Sequence, residues 1–218
     1  MRKMIILGAL LTAGAAPAFA QEAAAPAFTF SSNFGVTTDY HWRGVTQSDQ
    51  GAAVSAGIDL EGANGFYVGG WASTIDFGSA SEANLEIDAY AGYAFSAAGL
   101  DFDVGGIYYA YPDDSDLDFF ELYGKVSKTY EALTVGGSLN WDPDNETLYG
   151  DVSAGVSLSE MVSLSVGYGS YFEGFGEYSN WNFGGDVALG PVSLGVRYYD
   201  NDGAGAEENI SFSLSAGF

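Results

Sequence analysis

SFSLSAGF (residues 211–218) sets Phe212, Leu214, Ala216 and Phe218 on one parity and Ser211, Ser213, Ser215 and Gly217 on the other. Period two is the signature of a strand with one apolar and one polar face. Left as a free edge, such a strand recruits other chains, so the rest of the sequence must pair it.

The same alternation opens the region at FTFSSNFGVTTDYHWR (28–43). Phe28, Phe30, Phe34, Val36, Tyr40 and Trp42 hold the even positions, with mostly polar residues on the odd ones. Sixteen residues of period two exclude an amphipathic helix, whose apolar positions recur at three and four. Further strands are predicted near 52–61, 66–77, 85–95, 100–111, 119–127, 133–141, 147–158, 162–171, 181–189, 192–199 and 209–218, twelve with the first. In the third, FYVGGWASTIDF, both parities carry apolar residues.

The links between them alternate in kind. GANG (62–65), SAAG (96–99), KTYEA (128–132), SEM (159–161) and GP (190–191) are tight turns. GVTQSDQG (44–51), GSASEAN (78–84), PDDSDLD (112–118), DPDNE (142–146), FEGFGEYSN (172–180) and DNDGAGAEE (200–208) are longer and mostly acidic. An even number of antiparallel strands of about ten residues, short turns at one end and long loops at the other, describes an up-and-down transmembrane β-barrel of the outer-membrane type. In a closed barrel the last strand pairs with the first, and no edge remains.

A soluble β-sandwich or lipocalin-like barrel would turn the apolar face inward. Its outer face would then be mostly Ser, Gly, Thr and Asp with few lysines, unlike a water-facing surface. Twelve strands closed into one barrel also enclose more room than small apolar side chains fill. Aromatics of the apolar parity cluster at strand ends: Trp42, Tyr108, Phe120, Trp141, Tyr168, Trp181 and Tyr198 beside the long loops, Phe28, Phe30, Tyr93, Phe95 and Phe218 beside the short turns. Two aromatic belts around an aliphatic band match the two interfaces of a bilayer. Trp42, Tyr108, Trp141, Trp181, Tyr198 and Phe218 are therefore the expected membrane-interface aromatics.

Residues 1–20 have the pattern of an export signal: Arg2 and Lys3, an apolar run from Met4 to about Ala16, and Ala18-Phe19-Ala20 before Gln21. That run falls short of the ~20 residues of a spanning helix. A short linker (21–27) and one barrel domain (28–218) follow. No cysteine is present, so no disulfide contributes to the fold.

With 29 acidic residues against six basic ones and a formal net charge of −23, nucleic acid is excluded as a partner. Fifteen Tyr, fifteen Phe and four Trp separate the chain from acidic disordered sequences.

DYHWRGVTQSD (39–49), GFYVGGWAS (65–73) and EIDAYAGY (86–93) resemble the N-terminal half of the TorF family of porins from Gram-negative outer membranes, mainly over residues 33–95. The resemblance implies a barrel in the outer membrane, in contact with its lipid, with a pore function of undefined substrate. It also implies recognition by the barrel-assembly machinery, which reads a terminal strand ending in an aromatic residue, here Phe218.

If the even positions of the first strand face lipid, the odd ones face the interior, strand by strand. The expected pore lining holds the acids Asp39, Asp59, Glu61, Glu86, Asp88, Asp101, Asp103, Glu121, Asp151 and Asp186 against Arg43, Lys125 and Arg197. Such a lumen favours cations or small neutral polar solutes over anions. Tyr90, Tyr109, Tyr111, Tyr123, Tyr149, Tyr171 and Tyr199 share the inward parity. They either line a path or close it by hydrogen bonding to carboxylates. The alternative to a diffusion channel is then a closed structural or ligand-binding barrel with cation-binding acidic loops.

A lipid hydrolase would build on the single histidine, His41, but no nucleophile motif accompanies it. DDSDLD (113–118) spaces Asp114, Asp116 and Asp118 by two without the glycine and distal glutamate of an EF-hand loop, so loose cation binding at a solvated loop is the simpler reading. No cofactor, catalytic residue or metal site is expected.

Overall fold

The computed structural model describes residues 27–174, 177–203 and 208–218. The expected export signal, and the linker up to residue 26, lie outside the described residues. In chain order the strands are β1 (Phe28–Thr37), β2 (His41–Trp42), β3 (Val45–Thr46), β4 (Ala53–Gly62), β5 (Phe66–Thr74), β6 (Leu85–Ala97), β7 (Leu100–Ala110), β8 (Phe119–Tyr130), β9 (Leu133–Asp142), β10 (Thr147–Ser157), β11 (Val162–Glu173), β12 (Ser179–Leu189), β13 (Val192–Asn201) and β14 (Asn209–Gly217). Twelve of them, all but β2 and β3, form one closed antiparallel barrel in sequence order.

Closure is made by β1. It pairs with β4 from Phe28↔Gly62 to Thr37↔Ala53 and with β14 from Asn33↔Gly217 to Thr37↔Ser213. Beyond the strand, the backbones of Ser32 and Phe218 exchange two more hydrogen bonds of 3.0 and 2.9 Å. The stretch 211–218 thus has partners on both sides.

Apolar residues face outward. Phe30, Ile58, Val68, Val104, Leu139, Val166, Leu194 and Phe212 are all exposed, an apolar band around the barrel that water would not tolerate and acyl chains would. Aromatic groups bracket it. At the loop end Trp181 and Phe183 pack on Tyr198 at 5.1 and 5.4 Å between ring centroids. At the turn end Phe66, Tyr93, Phe95 and Phe102 form a chain of rings 4.7–5.5 Å apart.

The inner wall is made of tyrosines laid across glycines. On β5 and β6, Tyr67 stands opposite Gly92 and Gly69 opposite Tyr90. A Cβ at either glycine would lie 2.5 Å from the facing ring's Cζ. Only a bare backbone lets the rings lie flat on the wall.

The expected first strand, 28–43, is too long. β1 stops at Thr37, although the alternation runs on, because Asp39 turns the chain inward. Its carboxylate accepts hydrogen bonds from Thr46 Oγ1 (2.6 Å), Ser48 Oγ (3.0 Å) and Asn209 Nδ2 (2.5 Å), and its carbonyl accepts one from Ser211 Oγ (2.8 Å). The next residues form the small hairpin β2–β3, His41↔Thr46 and Trp42↔Val45. Arg43 (φ 51°) and Gly44 (φ 81°) make its two-residue turn, both left-handed as a type I′ turn requires.

Candidate functional site: a loop folded into an acidic barrel

Residues 38–51, expected to end a strand and begin an outer loop, instead reach across the barrel interior. Tyr40 donates to Glu86 Oε1 of β6 (3.0 Å) and its ring meets Trp71 of β5 edge-on at 5.5 Å. Trp42 packs edge-on against Tyr109 of β7 and Phe119 of β8, 6.0 and 6.1 Å away. Its expected place among the membrane-interface aromatics is therefore corrected: it is an interior residue, carried there by the turn at Asp39. His41 stacks on Tyr199 of β13 at 4.1 Å, and Asn201 Nδ2 donates to the Gly44 carbonyl at 2.9 Å.

Arg43 holds the tip. Its Nη1 and Nη2 donate to the two oxygens of Glu121 at 2.8 and 2.7 Å, and Nη1 also donates to Tyr171 Oη at 2.8 Å. The guanidinium lies 4.1 Å from the Trp42 ring centroid and 4.3 Å from that of Tyr149. The Arg43 side chain is 8% exposed and that of Glu121 1%. A planar fork paired with a carboxylate and stacked between rings is a use of arginine that lysine cannot copy. Burial works against its charge, but Glu121 and the nearby tyrosine hydroxyls outweigh that and raise its pKa.

The other expected lumen residues fall into pairs along the wall. Tyr90 donates to Asp59 and Tyr67 to Asp103, each at 2.6 Å, and the hydroxyls of Tyr67 and Tyr123 are 2.5 Å apart. Lys125 stands 3.7 Å from Asp103 and over the Tyr123 ring. Tyr111 donates to Glu86 (3.2 Å), and Ser138 donates to Asp151. Arg197 donates to Asn182 (2.6 Å) and Ser165 (2.5 Å) rather than to an acid in these contacts. Glu61 and Asp186 are partly buried on the same parity, while Asp101 is exposed beside a short turn and accepts from Ser96 at 2.5 Å.

Of the expected interface aromatics, Tyr108, Trp141, Trp181 and Phe218 are exposed on the outer face, and Tyr198 packs among the outer rings. Several interior residues were not anticipated: Tyr40, Tyr67, Trp71, Asn180 and Asn201. Tyr67 and Trp71 sit in the strand whose two parities look alike, and Tyr40 shares the parity of the lipid face until the chain leaves the sheet.

Two carboxylates of the acidic loop 112–118 hold it in place. Asp114 accepts from Ser81 Oγ at 2.6 Å, and Asp118 from the Tyr111 amide at 2.7 Å and Tyr108 Oη at 2.8 Å. Among the described residues no group of three or more His, Asp or Glu is placed to hold a metal ion. His41 Nε2 lies 2.8 Å from Asp39 Oδ2, out of line for a regular hydrogen bond, and no serine bonds either ring nitrogen.

The family described as "Bacterial protein of unknown function (Gcw_chp)" matches residues 20–212. The chain belongs to that family. A search of the curated proteins gave no match. Among solved structures, the KdgM porin superposes with a TM-score of 0.65 at 8% identity, over 86% of this chain and 98% of that one. The same porin in complex with disordered oligogalacturonate gives 0.62 at 9% identity, over 87% and 98%. The NanC porin gives 0.55 at 12% identity, over 87% and 98%. The COG4313 outer membrane channel from Pseudomonas putida F1 gives 0.52 at 13% identity, over 89% and 96%. At such identities the likeness concerns the barrel fold of this Gcw_chp protein; its lumen chemistry is its own. These neighbours are two porins and an outer membrane channel.

Proposed function

We propose that this Gcw_chp protein is an outer-membrane diffusion channel for small polar or cationic solutes, narrowed by residues 38–51. The observation that carries the reading is the sidedness of the closed barrel: an exposed apolar outer band around an interior walled by carboxylates and tyrosines. Nine of the ten expected lining acids are buried or partly buried, against three bases, of which Arg43 is committed to Glu121 and Lys125 stands beside Asp103. A low-dielectric wall around that excess repels anions and concentrates cations. Oligogalacturonate is a polyanion, so the cargo in the KdgM complex is a poor guide to this lumen. The resemblance to TorF porins, placement in a Gram-negative outer membrane after export, and assembly through Phe218 belong to the same reading.

Planar-bilayer recording tests it. Discrete conductance steps are expected, with a reversal potential of cation-selective sign in a salt gradient; silence, or anion preference, refutes it. A second reading has support from one feature: the loop 38–51 and the tyrosine–carboxylate pairs occupy the interior as a closed ligand-binding or structural barrel would need. In that case the native protein is silent and release of the loop opens it. A hydrolase finds no support at His41, whose Nε2 meets Asp39 and whose ring nitrogens bond no serine.

A further inference from the structure

Three carboxylates face the same compartment beneath the inserted loop, and they are treated differently. Glu121 is met by Arg43. Glu86, 2% exposed, accepts the hydroxyls of Tyr40 and Tyr111 on its two oxygens. Asp88 is 7% exposed, and its Oδ1 is buried with no hydrogen-bond partner. An ionised carboxylate in that position is costly unless a cation or donor meets it.

Asp88 does not stand alone. Directly opposite it on β5 is Trp71, whose Nε1 is also buried without a partner. Across Gly57 from Trp71 is Asn33 of β1, whose Oδ1 is the third such atom. A Cβ on Gly57 would lie 2.7 Å from Asn33 Nδ2 and 3.1 Å from Trp71 Cδ1, so the missing side chain is what brings these two together. The register therefore sets an anionic acceptor, a donor and a neutral acceptor along one row of the wall, at steps of about 4.8 Å per strand. The edge of this row is closed by the aromatic rings of Tyr40 from the loop and Tyr109 from β7.

This pattern is selective in its chemistry. A bare metal ion would meet Asp88 but not the indole N–H, which only donates. A neutral polyol leaves the carboxylate uncompensated. An ammonium with N–H groups satisfies Asp88, and a hydroxyl on the same small solute accepts from Trp71 and donates to Asn33. Aromatic faces alongside favour a cation over a neutral group.

We infer that Asp88, Trp71 and Asn33 form a binding site, under the loop, for a small primary ammonium solute carrying a neighbouring hydroxyl. The inference deepens the channel reading and rests on it, since the solute must enter the lumen.

Ethanolamine hydrochloride titrated calorimetrically into the full-length protein in detergent micelles tests the site. Saturable heat is expected for ethanolamine, with at least tenfold weaker binding of tetramethylammonium, which has no N–H, and of ethylene glycol, which has no charge. Asp88→Asn should weaken ethanolamine binding at least tenfold. Trp71→Phe, which keeps a ring and loses the donor, should weaken it severalfold. No ethanolamine heat, equal binding of tetramethylammonium, or unaltered binding by Asp88→Asn overturns the site. If Asp88→Asn fails to fold, the three-solute comparison on the unmodified protein decides alone. Conductance in bilayers without ethanolamine binding removes the site and leaves the channel. Ethanolamine binding with no conductance removes the channel and leaves the site.

Discussion

Arg43→Ala removes the pin of the inserted loop. The variant loses the two-point contact with Glu121, the hydrogen bond to Tyr171 and the stacking on Trp42 and Tyr149. Removing one partner of a buried pair typically costs about 3–5 kcal/mol, chiefly because the other charge is stranded. Here Glu121 is relieved once water follows the departing loop, so the lower bound of about 3 kcal/mol applies, a roughly hundredfold fall in the docked-to-released ratio. Single-channel recording reads this directly as longer open dwell times or a larger conductance step. Arg43→Lys keeps the charge without the fork or the stack, and should fall between the native protein and the alanine variant. Arg43→Met combined with Glu121→Leu removes both charges and should restore docking, because an apolar pair has no desolvation penalty. A folded Arg43→Ala barrel with native conductance and dwell times would refute the claim that this residue holds the loop.

Acid should loosen the same loop. Burial lowers the pKa of His41 despite the nearby Asp39 carboxylate, so the docked loop binds this proton less readily than the released one. Docking is then fully favoured above the free value of about 6.5 and weakens as pH falls below it. The open fraction should rise on acidification from pH 7 to 5, and His41→Asn should flatten that rise; an unchanged slope in the variant sinks the assignment. Gly92→Ala places a Cβ against the Tyr67 hydroxyl and 2.8 Å from the Val104 carbonyl, and should destabilise the barrel by about 1–3 kcal/mol, read as a lower urea midpoint in micelles. Deleting Phe218 should lower the yield of assembled barrel in outer-membrane fractions while in vitro refolding into detergent changes little; equal yields in cells argue against a role in recognition.

All twelve barrel strands were legible because the bilayer and the lumen impose opposite chemistry on alternate residues, as in 211–218 and 28–37. The reading failed where alternation outlasts pairing. Tyr40 and Trp42 continue the even apolar series, yet pairing of β1 ends at Thr37. Nothing in a period of two marks where a strand loses its neighbours. Two local signals point to the departure: Arg43-Gly44, suited to a left-handed two-residue turn, and an arginine that needs a buried anion in a chain with few bases. The polar row at Asn33, Trp71 and Asp88 was hidden for another reason. It depends on register across four strands, and a period of two does not fix which residues of neighbouring strands stand opposite one another.

The width of the barrel explains why a loop should fold inward at all. Around eight strands, wall side chains alone fill the interior; around twelve they do not. The wall here adds large tyrosines, but Tyr67, Tyr90, Tyr123 and Tyr149 are laid over Gly92, Gly69, Gly105 and Gly169, which thins the lining there. The remaining space is crossed by residues 38–51, tied through Asp39 to β14, Tyr40 to β6 and Arg43 to β8 and β11. Those ties are side-chain hydrogen bonds, joined by the ring contacts of Tyr40, His41 and Trp42. Wall and loop therefore differ in kind: the wall is fixed by continuous backbone pairing, whereas the loop is held by contacts that a single charge change can unbalance. On the channel reading proposed above, selectivity by charge belongs to the wall and the aperture to the loop. Neutralising wall carboxylates should thus shift reversal potential with little effect on dwell time, while changes at Arg43 should do the reverse.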